Sequence, residues 1–315
     1  MAPQKPALSS TCAPLSGLAP VAVTTGTSAG LQLPSGSGPV GLTYGSDGAI
    51  WILATARDRV YRIATDNQSK YWELPTSELG FQLSIAADAT AWIPERYRDA
   101  IASIAPDGLV SECRLMRGAQ PTMTLALADG TVWVGESGGN GVARLSHGHL
   151  KEMTLPPPDR GVTELAPDGA GGVWATESKT DALLHADSDG HLTEVSLNHA
   201  GATPIGILAA RDKSIWVAEF GGGRIDHLIN PAGPTAFIDV GEGSAPQGLA
   251  QAADGTMWFT ESKGDRIGQI TSTGMVVLKL SLPTGTWPDD LAIAPNGDVW
   301  WTEYFAYRVA RLHPS

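Results

Sequence analysis

Positive charge is the first thing in short supply. Against 33 Asp and Glu the chain carries 21 Lys and Arg, for a formal net charge of −12, and no basic run interrupts that balance. A nucleic-acid partner needs a basic stripe that displaces counterions from phosphate, so that class is excluded. Long apolar runs are missing as well. No stretch reaches the ~18 uninterrupted apolar residues of a membrane-spanning helix, and no membrane partner is expected. Cysteine occurs twice, as Cys12 and Cys113, and no Cys/His cluster has zinc spacing. The blander reading is a pair of reduced thiols in a cytoplasmic protein, with a Cys12–Cys113 disulfide as the alternative. No Gly-rich loop opens a helix, and no Gly-x-Ser-x-Gly elbow occurs.

What is present is a repeat. Tryptophans fall at 51, 92, 133, 174, 216, 258 and 300, in steps of 41 or 42 residues, and a glutamate follows three residues later in six of the seven cases. These are Glu95, Glu136, Glu177, Glu219, Glu261 and Glu303. A period of roughly 40–45 residues marks propeller blades, each a small sheet that must stack on its neighbours to bury its faces. Each unit opens with an apolar strand, typified by Pro246-Gln247-Gly248-Leu249, and turns at an Asp-Gly or Asn-Gly pair such as Asp254-Gly255 or Asn296-Gly297. The Trp strand follows, then a third strand such as Arg266–Ile270, then an outer strand such as Tyr71-Trp72-Glu73-Leu74. The predicted fold is an all-β, seven-bladed propeller of four-stranded antiparallel blades.

The seventh unit ends after its third strand, while Gly30-Leu31-Gln32-Leu33-Pro34 resembles an outer strand with no blade of its own. An N-terminal strand is therefore expected to complete the last blade and close the ring, leaving no long unpaired edge. Met1 to Pro20 is rich in Ala, Pro and Ser and has no continuous apolar core, a poor match to a secretion signal. Residues 1–24 read as a flexible extension and residues 25–315 as the propeller.

Strand direction gathers the starts of the inner strands and the ends of the Trp strands on one face, here called the mouth. The repeated Glu and Trp residues read as scaffold, so function is sought where the sevenfold pattern breaks. Around the mouth the inner strands present Val40, Phe81, Thr122, Gly161, Ile205, Gln247 and Asp289, of which the last two are strongly polar or ionisable. Asp290 replaces a usual glycine, and Trp287 precedes the strand. Arg96, Phe220 and Tyr304-Phe305 are large or charged residues after the Trp strands, and His199 is the histidine placed on this face. Aromatic walls with a carboxylate on one side suit a small or medium organic ligand.

The blades, above all Asp254-Gly255-Thr256-Met257-Trp258-Phe259-Thr260-Glu261 with Arg266-Ile267-Gly268, resemble the virginiamycin B lyase (streptogramin lyase) family over residues 30 to 312. The resemblance implies a seven-bladed propeller and a Mg²⁺-assisted elimination that linearises a cyclic depsipeptide. It also implies Pro-His-x-Ile lead-ins in the last two blades, where this chain has Gln247 and Asp289. The family's two glutamates correspond to Trp287 and Tyr304. With all four positions changed, streptogramin lyase activity does not carry over.

The first hypothesis is a lyase-like enzyme or cyclase acting on a secondary-metabolite-type small molecule by general acid/base proton transfer at the central mouth. Asp289, Tyr304 and Glu303 are the candidate catalytic residues. Phe81, Arg96, His199, Phe220, Gln247, Glu261, Trp287 and Asp290 are the candidate substrate-binding residues. No cofactor is assigned. A non-catalytic propeller that binds a peptide or glycan is one alternative; a Mg²⁺-dependent lyase with a site rebuilt from Glu261, Asp289 and Glu303 is another. A monomer is expected.

Overall fold

The structure is a computed structural model that describes residues 12–23, 30–75, 78–229 and 235–314. Residues 1–11 and 24–29, which belong to the expected extension and its junction, lie outside the described residues. Seven antiparallel sheets follow one another along the chain. The sixth blade shows the plan: strands Pro246–Gln251, Met257–Glu261, Arg266–Ile270 and Val276–Ser281 pair in sequence order from the axis outwards. Among the described residues the helical content is two 3₁₀ turns, Thr55–Arg57 and Arg96–Arg98. No helix there is long and apolar enough to cross a membrane.

Ring closure follows the sequence reading. Strands Pro288–Ile293, Val299–Glu303 and Arg308–Leu312 are completed by Gly30–Gln32, with Leu31 opposite Val309 and Gln32 opposite Arg308. Gln32 fastens this strand further, its Nε2 donating to the Tyr307 carbonyl at 2.9 Å. Leu31 and Leu33 enter the core shared by the seventh and first blades, beside Ile50, Ile52 and Trp300.

The core lies between blades. Trp51 packs with Ile93 and Ala91 of the next blade, and Trp258 with Leu291 and Val299. The residue paired with each Trp on the third strand also matters. Arg62, Arg144 and Arg311 lie over Trp51, Trp133 and Trp300, and His185 and His227 stack on Trp174 and Trp216 at 4.3 and 4.1 Å. A cationic or imidazole plane thus shields the indole face from water.

Two expectations change at the N-terminal extension. Ala13–Pro14 pairs with the outer strand Val110–Arg114 of the second blade, and Val21–Val23 with the outer strand Ser69–Glu73 of the first. Both blades therefore have five strands, and residues 12–23 are strapped along the propeller where a flexible tail was expected. Cys12 and Cys113 form a disulfide, which corrects the reading of two reduced thiols. The pairing of Ala13 with Glu112 explains it, because that register brings the two sulfurs together.

Four of the six repeated glutamates, Glu177, Glu219, Glu261 and Glu303, meet a cation. Glu219 and Glu303 are buried and meet Arg224 and Arg308 across the Trp and third strands at 2.8 and 2.7 Å. Glu261 meets Arg266 in the same way, and Lys279 at 2.7 Å. The third blade breaks the rule: the position opposite Glu136 is Gly141, and neither carboxyl oxygen of Glu136 has a hydrogen-bond partner among the described residues. Burial, with Glu152 and Asp99 nearby, holds its pKa well above 4.5.

Two outcomes follow for stability. An acid with a raised folded pKa costs nothing while protonated in both states, and penalises folding as pH climbs above its unfolded value. Glu136→Gln should therefore stabilise the protein by about 1 kcal/mol or more at pH 8 and scarcely at pH 4; equal melting temperatures across that range would contradict the assignment. Reducing the Cys12–Cys113 bond, which closes a loop of 101 residues, should lower stability by about 2–4 kcal/mol in chemical denaturation. A Cys113→Ala variant should lose that response to reductant.

Candidate active site

Every inner strand except the second blade's two-residue Ser84–Ile85 carries a register shift at its start, between Pro39 and Leu42, Pro121 and Met123, Val162 and Leu165, Pro204 and Ile207, Pro246 and Leu249, and Pro288 and Leu291. A bulge of this kind re-aims the residues around it, and here it turns two residues per blade towards the axis. Threonine holds the bulge in place. Thr302 Oγ1 lies 2.7 Å from the Val40 carbonyl of the neighbouring blade and accepts the Asp290 N–H at 3.0 Å. Thr260 does the same between Gly248 N–H and the Asp289 carbonyl, and Thr176 between Glu164 N–H and the Ile205 carbonyl.

The first residue of each pair is Val40, Phe81, Thr122, Thr163, Ile205, Gln247 or Asp289. Gly161, expected in the fourth place, is displaced. Val162 pairs with Glu177 as Pro204 pairs with Glu219, so Thr163 faces the mouth. The second residue of each pair is Gly41, Gln82, Met123, Glu164, Gly206, Gly248 or Asp290. Three are glycine because the strands crowd there: a Cβ on Gly206 would fall 1.8 Å from the Gln247 carbonyl oxygen, and one on Gly248 2.8 Å from the Asp290 Cα. Gln82, Glu164 and Asp290 occupy the room those glycines leave.

Glu164, which lines the mouth, and Gln82, which bonds to Asp290, were not among the residues expected there. The signal was there. In six of the seven blades, all but the second, the residue that begins the inner strand lies fifteen positions before the Glu position of the Trp strand. Counting back from Glu177 gives Val162, whereas matching on glycine gave Gly161.

Above these residues opens a cavity of about 370 Å³. Its wall is aromatic: Phe81, Phe220, Trp287, Tyr304 and Phe305 line it, with Val40, Ile205, Thr55 and Thr163 between them. Trp287 lies 6.4 Å from Phe220 and 5.9 Å from Phe305, ring centre to ring centre, and Phe305 packs edge-on against Tyr304 at 4.9 Å. Trp287 holds a left-handed backbone, φ 53°, because its N–H donates to Asp265 Oδ1 at 2.8 Å. The polar lining is Glu78, Glu164, Gln247 and Asp289.

Asp289 Oδ1 accepts from Gln247 Nε2 at 2.7 Å, and Ser262 Oγ sits 3.1 Å from Gln247 Oε1, which fixes the orientation of the amide. Asp290 accepts from the Leu42 N–H at 3.0 Å and from Gln82 Nε2. Glu164 Oε2 accepts from the Ile207 N–H at 3.3 Å. Burial, and then the Asp290 charge, raises Asp289 to about 7. Burial likewise raises Asp290 to about 6. Glu164 is driven well above its ordinary range by burial and by both aspartates. Asp289 and Asp290 can exchange protons near neutral pH, as acid/base chemistry requires.

Of the expected site residues, Phe81, Phe220, Gln247, Trp287, Asp289 and Tyr304 line this one cavity, and Asp290 stands beside Asp289 on the same strand. Arg96 is placed at the rim, 5.1 Å from the Phe81 ring centre and 3.5 Å from Glu78. Glu261, Glu303 and His199 are placed elsewhere. Glu261 and Glu303 are the buried ion-pair partners described above, and His199 Nδ1 is bound to Glu219 Oε2 at 2.7 Å. A metal site built from Glu261, Asp289 and Glu303 does not fit this arrangement. Their ligand atoms do not come within reach of a common ion, and two of the three already meet Arg or Lys.

A second cavity of about 370 Å³ lies on the opposite face, lined by Tyr44, Ile50, Trp300, Asp298 and Arg311 among others. Its carboxylate is already paired, with His313 at 2.6 Å and Arg311 at 3.4 Å, so the mouth is the better candidate for chemistry.

Comparison with known proteins follows the architecture. A family model described as the virginiamycin B lyase family matches residues 21–222 and 116–315. A selenomethionine-substituted virginiamycin B lyase from Staphylococcus aureus superposes with a TM-score of 0.84 at 21% identity, covering 95% of this chain and 100% of that one. A catalytically inactive histidine-to-alanine variant of the Staphylococcus aureus enzyme with quinupristin gives the same TM-score, identity and coverage. A streptogramin B lyase gives 0.83 at 21% identity, over 93% of this chain and 97% of that one. No curated protein matches the sequence.

The threonine bridges make a separable prediction. Thr302→Val keeps the shape but removes the contacts to Val40 and Asp290, and should cost about 1–3 kcal/mol in denaturant unfolding. A cost below a few tenths would mean that the bulge stands without it.

Proposed function

The chain belongs to the virginiamycin B lyase family, and from that lyase-type propeller we propose an enzyme that moves a proton on a small molecule held in the mouth cavity, with Asp289 as the acid/base group. The observation that carries this reading is a carboxyl with a pKa near 7, oriented by Gln247 at 2.7 Å, in an aromatic-walled cavity. In an elimination, the Asp289 carboxylate would take a proton from the carbon beside the scissile bond. The freed electron pair would form the new double bond, and the leaving group would depart with the bonding pair. Tyr304, whose side chain lines the same cavity, would donate the proton that neutralises the departing oxygen. Donation to an oxyanion as it forms is where such a contact lowers the barrier.

The neighbouring residues tune Asp289 for this step. Gln247 donates to Asp289 and so favours one carboxylate orientation, while burial and then the Asp290 charge raise its basicity. Phe220 and Trp287 exclude water from the cavity wall, which strengthens each electrostatic contact inside. Glu303 and Glu261 have no part in this scheme, because their carboxylates neutralise Arg308 and Arg266 within the scaffold.

The test is direct. Cyclic esters and depsipeptides incubated with the protein are followed by mass spectrometry. Elimination opens a ring without a mass change, whereas hydrolysis adds the mass of water. Asp289→Asn should lower turnover at least ~100-fold while stability stays within about 1 kcal/mol. As a base, Asp289 must be ionised, so kcat/KM should rise with pH and level off above about 7. Unchanged turnover in the variant, or a rate that falls through that range, would remove Asp289 from the role.

A further inference from the structure

The central acids of the mouth cavity have no counter-charge beside them. Glu164 and Asp289 line it, Asp290 lies beside Asp289, and no Lys, Arg or His is among the lining residues, while the rim acid Glu78 meets Arg96 at 3.5 Å. The hydrogen-bond donors to the three central acids are neutral: the Gln247 amide for Asp289, the Ile207 N–H for Glu164, and the Leu42 N–H and Gln82 amide for Asp290. Three of the buried repeat acids, Glu219, Glu261 and Glu303, meet a cation on the neighbouring strand. At the mouth that charge is missing from the chain.

The cavity wall has the complementary property. Aromatic faces attract cations through the ring quadrupole, more strongly where water is excluded. The rim already works in this way, with Arg96 over Phe81 at 5.1 Å and Lys263 over Phe220 at 4.9 Å. Deeper in, no cation of the chain stacks on Trp287, Tyr304 or Phe305 among the described residues. A volume of about 370 Å³ far exceeds a bare metal ion and leaves room for an organic body. An anionic ligand would meet carboxyls and a chain of net charge −12.

We infer that the mouth cavity takes an organic cation, an amine or quaternary ammonium compound, with its charged nitrogen towards Asp289 and Glu164 and its apolar body against Trp287, Tyr304 and Phe220. This inference rests on the reading of the cavity as the substrate site and adds the charge class of the substrate. Binding is coupled to protons at Asp289 and Asp290, which burial raises to about 7 and about 6. The other titratable or charged groups that face the ligand are Glu164, the rim pair of Glu78 and Arg96, and Tyr304. A bound cation favours the ionised carboxyls, so affinity should increase from pH 6 to pH 8.

The experiment uses the full chain with choline and its neutral isostere 3,3-dimethylbutan-1-ol in isothermal titration calorimetry. Choline should bind at least tenfold more tightly than the alcohol at pH 8, and more weakly at pH 6. Glu164→Gln, checked for an unchanged melting temperature, should lower choline affinity at least threefold and leave the alcohol unaffected. Equal affinity for both probes, no binding of choline, or choline binding that Glu164→Gln does not alter would overturn the inference. Equal affinity would still leave proton transfer by Asp289 standing. Cation selectivity in a protein whose turnover survives Asp289→Asn would instead keep the ligand class and discard the base.

Discussion

Seven inner strands that begin around one axis compete for a space too small for seven side chains, and much of this structure follows from that crowding. Gly41, Gly206 and Gly248 give way, and the bulge that starts six of the seven inner strands turns one residue up towards the mouth and one in towards the axis. The threonines before Glu177, Glu261 and Glu303 then tie the bulge of one blade to the next, so the axial arrangement is shared around the ring. A side chain that does enter this space is held by its neighbours. Asp290 illustrates the point: it is bonded to Leu42 and Gln82, which come from two other blades. The price is desolvation, and it shows in the raised pKa values of Asp289, Asp290 and Glu164.

Much of the architecture was legible because it repeats. The Trp spacing, the Asp-Gly turns and the orphan strand at residues 30–34 determined blade number, strand order and ring closure, since each is a local pattern sampled several times. The N-terminal arm was not legible. Ala13–Pro14 and Val21–Val23 have no alternation that marks them as strands, and they pair because the outer edges of the first two blades are there to receive them. The disulfide is a consequence of that register, and nothing in two cysteines a hundred residues apart distinguishes a bond from two thiols.

At the mouth, the breaks in the pattern pointed to the right wall and an incomplete floor. Phe81, Phe220, Trp287 and Tyr304 are bulky where the repeat is small, and bulk at a loop end has few places to go except the opening. Glu164 was missed because the fourth blade begins with Val162 in place of proline, and the nearby Gly161 imitates the usual motif. The distance to the next glutamate is set by strand length and so survives that substitution. Residue identity at the lead-in is not constrained in the same way, which makes the spacing the more robust guide.

Glu261 and Glu303 were candidates on position, and their placement shows how scaffold and site can be told apart by charge balance. A buried carboxylate is costly unless a partner neutralises it. Where the acid serves the fold, the same blade supplies the partner, and Arg224, Arg266 and Arg308 sit opposite their glutamates on the neighbouring strand. Glu95 does not follow the rule: Ala100 sits opposite it, the arginines Arg98 and Arg114 go to its neighbour Glu112, and burial lifts its pKa to about 8. Glu136 has no such partner and no cavity beside it among the larger ones described, so its cost falls on stability alone. Asp289 and Glu164 also lack a cation, but they face an opening that a ligand can enter. An uncompensated acid can meet a ligand only when it borders accessible space, and Asp289 and Glu164 border the mouth cavity.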